Sequence, residues 1–189
     1  MKQIRKIIVL LFALTILVTS VTGCQKKEAA ECPFTTITWG NTLEDIIDLE
    51  GESKDTYDST YKGTTYTYDK EYLGLDGTIK YMFDDKDKLV SIAWMYVSDD
   101  AEDVKDVYEK VHTEAESALG ESNYQKDMKG NELNSKLQDS QEELNAAGMS
   151  TPFTDIWRQE DGNVILSAVL TSDTKAVQYT FLHPDVSQK

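Results

Sequence analysis

The chain has 189 residues, 40% hydrophobic and 28% charged, and 34 Asp and Glu against 19 Lys and Arg leave a net charge of −15. A field of that sign repels phosphate backbones and anionic head groups, which sets nucleic acid aside as a partner. The histidines, His112 and His183, lie far in sequence from each other and from both cysteines, so the pattern holds neither zinc spacing nor a histidine-based triad.

At the N-terminus Lys2, Arg5 and Lys6 precede an almost unbroken apolar run over residues 7–18, the layout of a secretory leader. The run is shorter than the roughly 20 residues a membrane span needs. It is followed by Val21-Thr22-Gly23-Cys24, in which small side chains leave the bond before Cys24 accessible and the thiol can serve as a nucleophile. This stretch resembles the lipobox of bacterial lipoproteins. The resemblance implies cleavage between Gly23 and Cys24, a diacylglycerol thioether on Cys24, and a mature protein held by lipid on the extracytoplasmic side of the cell membrane. Residues 1–23 are then the leader and 24–36 a lipidated tether. With Cys24 acylated, Cys32 has no partner in the chain, so it is expected to be a free thiol in a flexible segment.

Phe34 to Trp39 alternates weakly and is expected to be a short strand or extended lead-in. Thr42, with Asp45 three residues on, has the form of a capping box; Leu43, Ile46, Ile47 and Glu50 follow at helical spacing before Gly51. Residues 51–63 are polar and turn-rich. Thr64 to Tyr68 alternates as a strand, with Tyr66, Tyr68 and Tyr72 on one face, and Gly74-Leu75-Asp76-Gly77 predicts a hairpin turn centred on the Asp-Gly pair. Period-two patterning then predicts strands over 78–83 and 89–97, joined by the loop Asp84-Asp85-Lys86-Asp87-Lys88. It places Ile79, Tyr81, Phe83, Val90, Ile92 and Trp94 on one face, and Leu89 with Ser91, Ala93 and Met95 on the other.

Asp99, Asp100, Glu102 and Asp103 crowd the start of a second helix, where negative charge meets the macrodipole favourably. Val104, Val107, Tyr108, Val111, Ala115 and Leu119 form its apolar stripe up to Gly120, with His112 on the polar side. A weaker helix is expected over 131–147, and strands over 153–158, 164–170 and 176–182.

Asp76-Gly77 with Ile79, Tyr81 and Phe83 is echoed by Asp161-Gly162 with Val164, Leu166 and Ala168, and Lys88, Val90, Ile92 and Trp94 by Lys175, Val177, Tyr179 and Phe181. Both helices end in Gly-Glu-Ser, at Gly51 and Gly120. The order predicts an α+β fold of two tandem helix-plus-antiparallel-meander repeats, 37–98 and 99–189. This organisation resembles the beta-lactamase inhibitor protein fold and the related small envelope lipoproteins that assist outer-membrane assembly. The resemblance implies that the two meanders join in one sheet with helices on one face, that the concave face is left open for a protein partner, here Thr78, Lys80, Met82, Ser91, Ala93 and Met95, and that a hairpin loop probes that partner, here Asp84 to Lys88.

The chain carries no phosphate-cradling glycine loop, serine elbow or EF-hand spacing, and no cofactor is expected. The acid pairs Asp84/Asp85, Asp99/Asp100 and Glu142/Glu143 read as solvated surface. The leading expectation is a non-enzymatic module that binds a protein or peptide through Lys80, Met82, Asp84, Asp85, Asp87, Ala93 and Met95. A carboxylate-dependent envelope hydrolase, a cation-binding protein and a structural envelope spacer are the alternatives.

Overall fold

The computed structural model describes residues 32–126, 132–135, 153–170 and 174–187. Helices α1 (Leu43–Glu50) and α2 (Ala101–Leu119) accompany nine strands: β1 (Asp55–Asp58), β2 (Lys62–Tyr72), β3 (Leu75–Asp84), β4 (Leu89–Val97), β5 (Tyr124–Lys126), β6 (Glu132–Ser135), β7 (Phe153–Gln159), β8 (Gly162–Leu170) and β9 (Lys175–Leu182). The strands form one sheet in the order β1-β2-β3-β4-β9-β8-β7-β5-β6, and every neighbouring pair is antiparallel. The fold is therefore α+β, with both helices packed on one face of the sheet.

Each helix starts and stops where local chemistry dictates. The Thr42 side chain accepts from the Asp45 amide while Asp45 accepts from the Thr42 amide at 2.7 Å, and Gly51 ends α1 at a φ of 89° that a side chain disfavours. Asp100 caps α2 by accepting from the Glu102 amide at 2.9 Å, and Gly120 ends it at a φ of 81°. The predicted stripe of α2 is buried through Val104, Val107, Tyr108, Val111 and Ala115.

Two rows of side chains cross the helix-covered face. One runs Tyr66, Tyr81, Ile92, Phe181, Val164, Trp157; the other runs Tyr68, Ile79, Trp94, Tyr179, Leu166, Asp155. All but Tyr66 are buried. Cross-strand packing of this kind, with aromatic edges meeting faces, holds an antiparallel sheet. Trp94 fixes the centre: its indole N–H donates to the Lys70 carbonyl at 3.0 Å, and its ring lies so close to Gly77 that a Cβ there would sit 2.5 Å from Nε1. Gly77 is a strand glycine that makes room for the indole.

The hairpin turn accordingly lies earlier than the Asp-Gly pair suggests. Leu73 and Gly74, both at positive φ, form it, while Asp76 and Gly77 pair with Glu71 and Lys70 inside the ladder. The assignment of Val90 and Leu89 is also corrected. An extra residue in β4 lets Phe83 pair with Leu89 but Met82 with Ser91, so Leu89 joins the core and Val90 is buried outside it. A bulge shifts every residue beyond it to the opposite face, which strict alternation cannot anticipate.

Further expectations give way at the ends of the chain. Phe34 to Trp39 forms no strand, and Phe34 and Ile37 are buried, with the Phe34 ring edge-on to Tyr72, Tyr179 and Phe181. Cys32 packs half-buried against the same core, where burial pushes its thiol pKa up strongly. Residues 51–63, read as loop, contain the edge strand β1. Glu132–Ser135, expected within a helix over 131–147, instead pairs with β5, where sheet hydrogen bonding overrides a modest helical pattern. The rest of that expected helix, with Glu142/Glu143, lies outside the described residues, as does the leader with Cys24.

Candidate functional site

The face opposite the helices is built from the alternate residues of the same strands. Its central row runs Thr67, Lys80, Ala93, Thr180, Ile165, Ile156; flanking rows carry Thr65, Met82, Ser91, Leu182 and Asp69, Thr78, Met95, Gln178, Ser167. Neither helix covers this face, although Thr65, Thr67, Ile156, Ser167 and Thr180 on it are buried. Ser91 and Ala93 expose no surface and form its floor, whereas Lys80, Met82 and Met95 around them are half-buried. The register thus brings together Lys80, Met82, Ala93 and Met95, four of the residues expected to bind. Tyr61 borders Ser91: burial raises its pKa, and the Ser91 hydroxyl works against that rise.

Asp84, Asp85 and Asp87 stand apart at the end of the β3–β4 hairpin. The Asp84 carboxylate accepts from the amides of Lys86 at 2.9 Å and Lys88 at 3.0 Å, bonds that hold its pKa below the usual range, so it shapes the loop. Asp85 and Asp87 are exposed, and Asp87 takes a φ of 56° within the turn. Lys88 reaches Asp185 at 2.5 Å, anchoring the loop to the C-terminal segment. His183 beside it has its pKa lowered by burial, and its Nδ1 accepts from the Asp185 amide at 3.0 Å.

The helix-covered face holds a polar cluster with no counterpart in the sequence reading. Asp155, on β7, is wholly buried at the end of a core row. Its Oδ2 accepts from the Tyr108 hydroxyl at 2.5 Å and meets His112 Nδ1 at 2.9 Å, while Oδ1 accepts from Ser122 at 3.1 Å. His112 is therefore half-buried; it follows Tyr108 by one helical turn and flanks the apolar stripe. In a hydrolase triad the hydroxyl bonds the imidazole and the imidazole bonds the carboxylate. Here hydroxyl and imidazole share one carboxylate, an arrangement that docks α2 and the loop after it onto β7.

The hydrogen bond to Asp155 raises the His112 pKa above its ordinary 6.5, with burial opposing and Glu116 and Glu109 assisting. A raised folded-state value means that this contribution to stability is fully present below the unfolded value and fades as pH rises through the folded one. The Tm difference between the wild type and His112→Gln should accordingly be largest below about pH 6.5 and shrink at alkaline pH. A difference that grows with pH would overturn the assignment.

A second, half-buried pair ties α1 to the sheet. Glu50 Oε1 accepts from Lys70 Nζ at 2.8 Å and from the Tyr81 hydroxyl at 2.7 Å, and the Tyr81 hydroxyl also meets Thr35 Oγ1 at 2.7 Å. Glu50 thus occupies its place on the α1 stripe as a hydrogen-bond acceptor.

Among the described residues no group of three or more His, Cys, Asp or Glu is placed to hold a metal ion, and no helix is long and apolar enough to cross a membrane. No protein-family model matches this chain, and neither a curated protein nor a solved structure matches it.

Proposed function

We propose that this protein is a lipid-anchored, extracytoplasmic binding module that receives a protein or peptide on the uncovered face of its sheet, and that it is not an enzyme. The observation that carries this reading is the face away from both helices: there half-buried Lys80, Met82 and Met95 surround a floor of small side chains. Flexible thioethers around a polar anchor suit a surface that adapts to a partner. The anchor rests on the apolar leader and Cys24; two or more acyl chains hold a protein stably at a bilayer.

The two halves are proposed to be repeats. Each has a helix followed by antiparallel strands, and the last strand of each, β4 and β9, meets the other at the middle of the sheet. The likeness to the beta-lactamase inhibitor protein fold belongs to the same proposal and rests on this element order.

The test is a pull-down from envelope extract with the mature chain made soluble by Cys24→Ser, beside the same chain carrying Met82→Asp and Met95→Asp. The wild-type face should retain a protein that the double variant loses by at least tenfold, with both baits unfolding cooperatively at similar temperatures. Equal retention by the two baits would overturn the open-face reading. Wild-type protein should also partition into detergent, and the Cys24→Ser chain into water.

A further inference from the structure

We propose that Lys80 makes the uncovered sheet face a carboxylate-recognition site, and that its partner is a peptide segment presenting a carboxylate among apolar side chains. This rests on the open-face reading above and adds the chemistry of what that face takes.

In a chain of net charge −15, the centre of this face has a cation and, among the described residues, no carboxylate acting on it. Across its own row Lys80 neighbours Thr67 and Ala93, followed by Thr180 and Ile165, all uncharged. Asp69 in a flanking row already bonds Lys54 at 2.5 Å. Asp55 lies two strands away, at the sheet edge. Among the described residues Lys80 enters no ion pair or side-chain hydrogen bond. Burial lowers its pKa, and no carboxylate acts to raise it again.

Diagonal to Lys80, past Ala93, lies the fully buried Ser91 hydroxyl, beside the Tyr61 hydroxyl. An ammonium that has lost part of its hydration is complementary to an anion that arrives with its own apolar surroundings. Met82, Met95 and Ile165 supply the apolar contacts on this side. One cation within a strongly negative field suits a monoanionic carboxylate, whereas a phosphate dianion calls for several positive donors.

The test uses the Cys24→Ser chain with 13C-labelled methionine methyls, titrated with N-acetyl-dileucine as the free acid and as its C-terminal amide. The free acid should shift the Met82 and Met95 methyl signals with a Kd about tenfold below that of the amide, the scale of one charge-assisted hydrogen bond. Lys80→Met should abolish that preference, and Lys80→Arg should keep it. If acid and amide shift Met82 and Met95 with equal affinity, or the preference survives Lys80→Met, the carboxylate proposal is overturned while the open-face reading stands. If neither probe moves these two methyls, both are overturned. The acid-against-amide comparison on the wild type decides the matter even if Lys80→Met fails to fold.

Discussion

Asp155→Ala should destabilise the protein by about 3–5 kcal/mol, because it removes the acceptor at which three buried or half-buried groups converge. Tyr108, His112 and Ser122 all bond this carboxylate, which exposes no surface. Its loss opens a polar cavity between α2 and β7 and takes away the bond that raises the His112 pKa. For a chain of this size the Tm should fall by on the order of 10 °C. Asp155→Asn discriminates the cause. Its amide oxygen still accepts from Tyr108 and His112, and its NH2 can donate to a reoriented Ser122 hydroxyl, so it should cost clearly less while abolishing the pH dependence ascribed to His112. Equal losses in Asn and Ala variants would show that the charge, and not the hydrogen-bond geometry, dominates. Thermal unfolding of the three proteins between pH 5 and 9 measures both.

Trp94→Ala should be of similar size, about 3–5 kcal/mol, by the cost of emptying a large buried aromatic site. Trp94 exposes no surface, packs edge-on to Tyr72 at 5.4 Å and bonds the Lys70 carbonyl. The void would open beneath β3 at Gly77, a backbone with no side chain of its own to relax into it. Trp94→Phe keeps most of the volume and loses the N–H donor, so it should cost markedly less than Ala. Chemical denaturation of the pair reads this; a Phe variant as unstable as Ala would assign the dominant role to the bond with Lys70.

The sequence pattern carried the periodic parts of the fold well. Both helices end at the predicted glycines, and three C-terminal strands fall within a few residues of their expected positions, because caps and period-two alternation are local signals. What it missed was decided by distant contacts. The Asp-Gly turn lost to Leu73-Gly74 because Trp94 needs Gly77 in the strand. Leu89 and Val90 exchanged roles through a bulge whose cause is the register with β3. Phe34, which falls within the expected tether of residues 24–36, found its place only because Tyr72 on β2 and Tyr179 and Phe181 on β9 converge on it. On the candidate face the alternation correctly grouped Lys80, Met82, Ala93 and Met95. Asp155 escaped notice because a lone acid in an alternating strand reads as exposed. Its parity with Trp157 was the available clue, since both alternate onto the buried side.

The position of β9 has a consequence for when this protein can fold. The last strand in the chain lies between β4 and β8, in the interior of the sheet, so both halves remain with an unpaired central edge until residues 175–182 are present. Such long-range pairing is slow to form and late to be rewarded. A chain still emerging cannot close its core behind the leading segment. On the proposed extracytoplasmic route, that delay would keep the chain transportable until β9 has crossed the membrane.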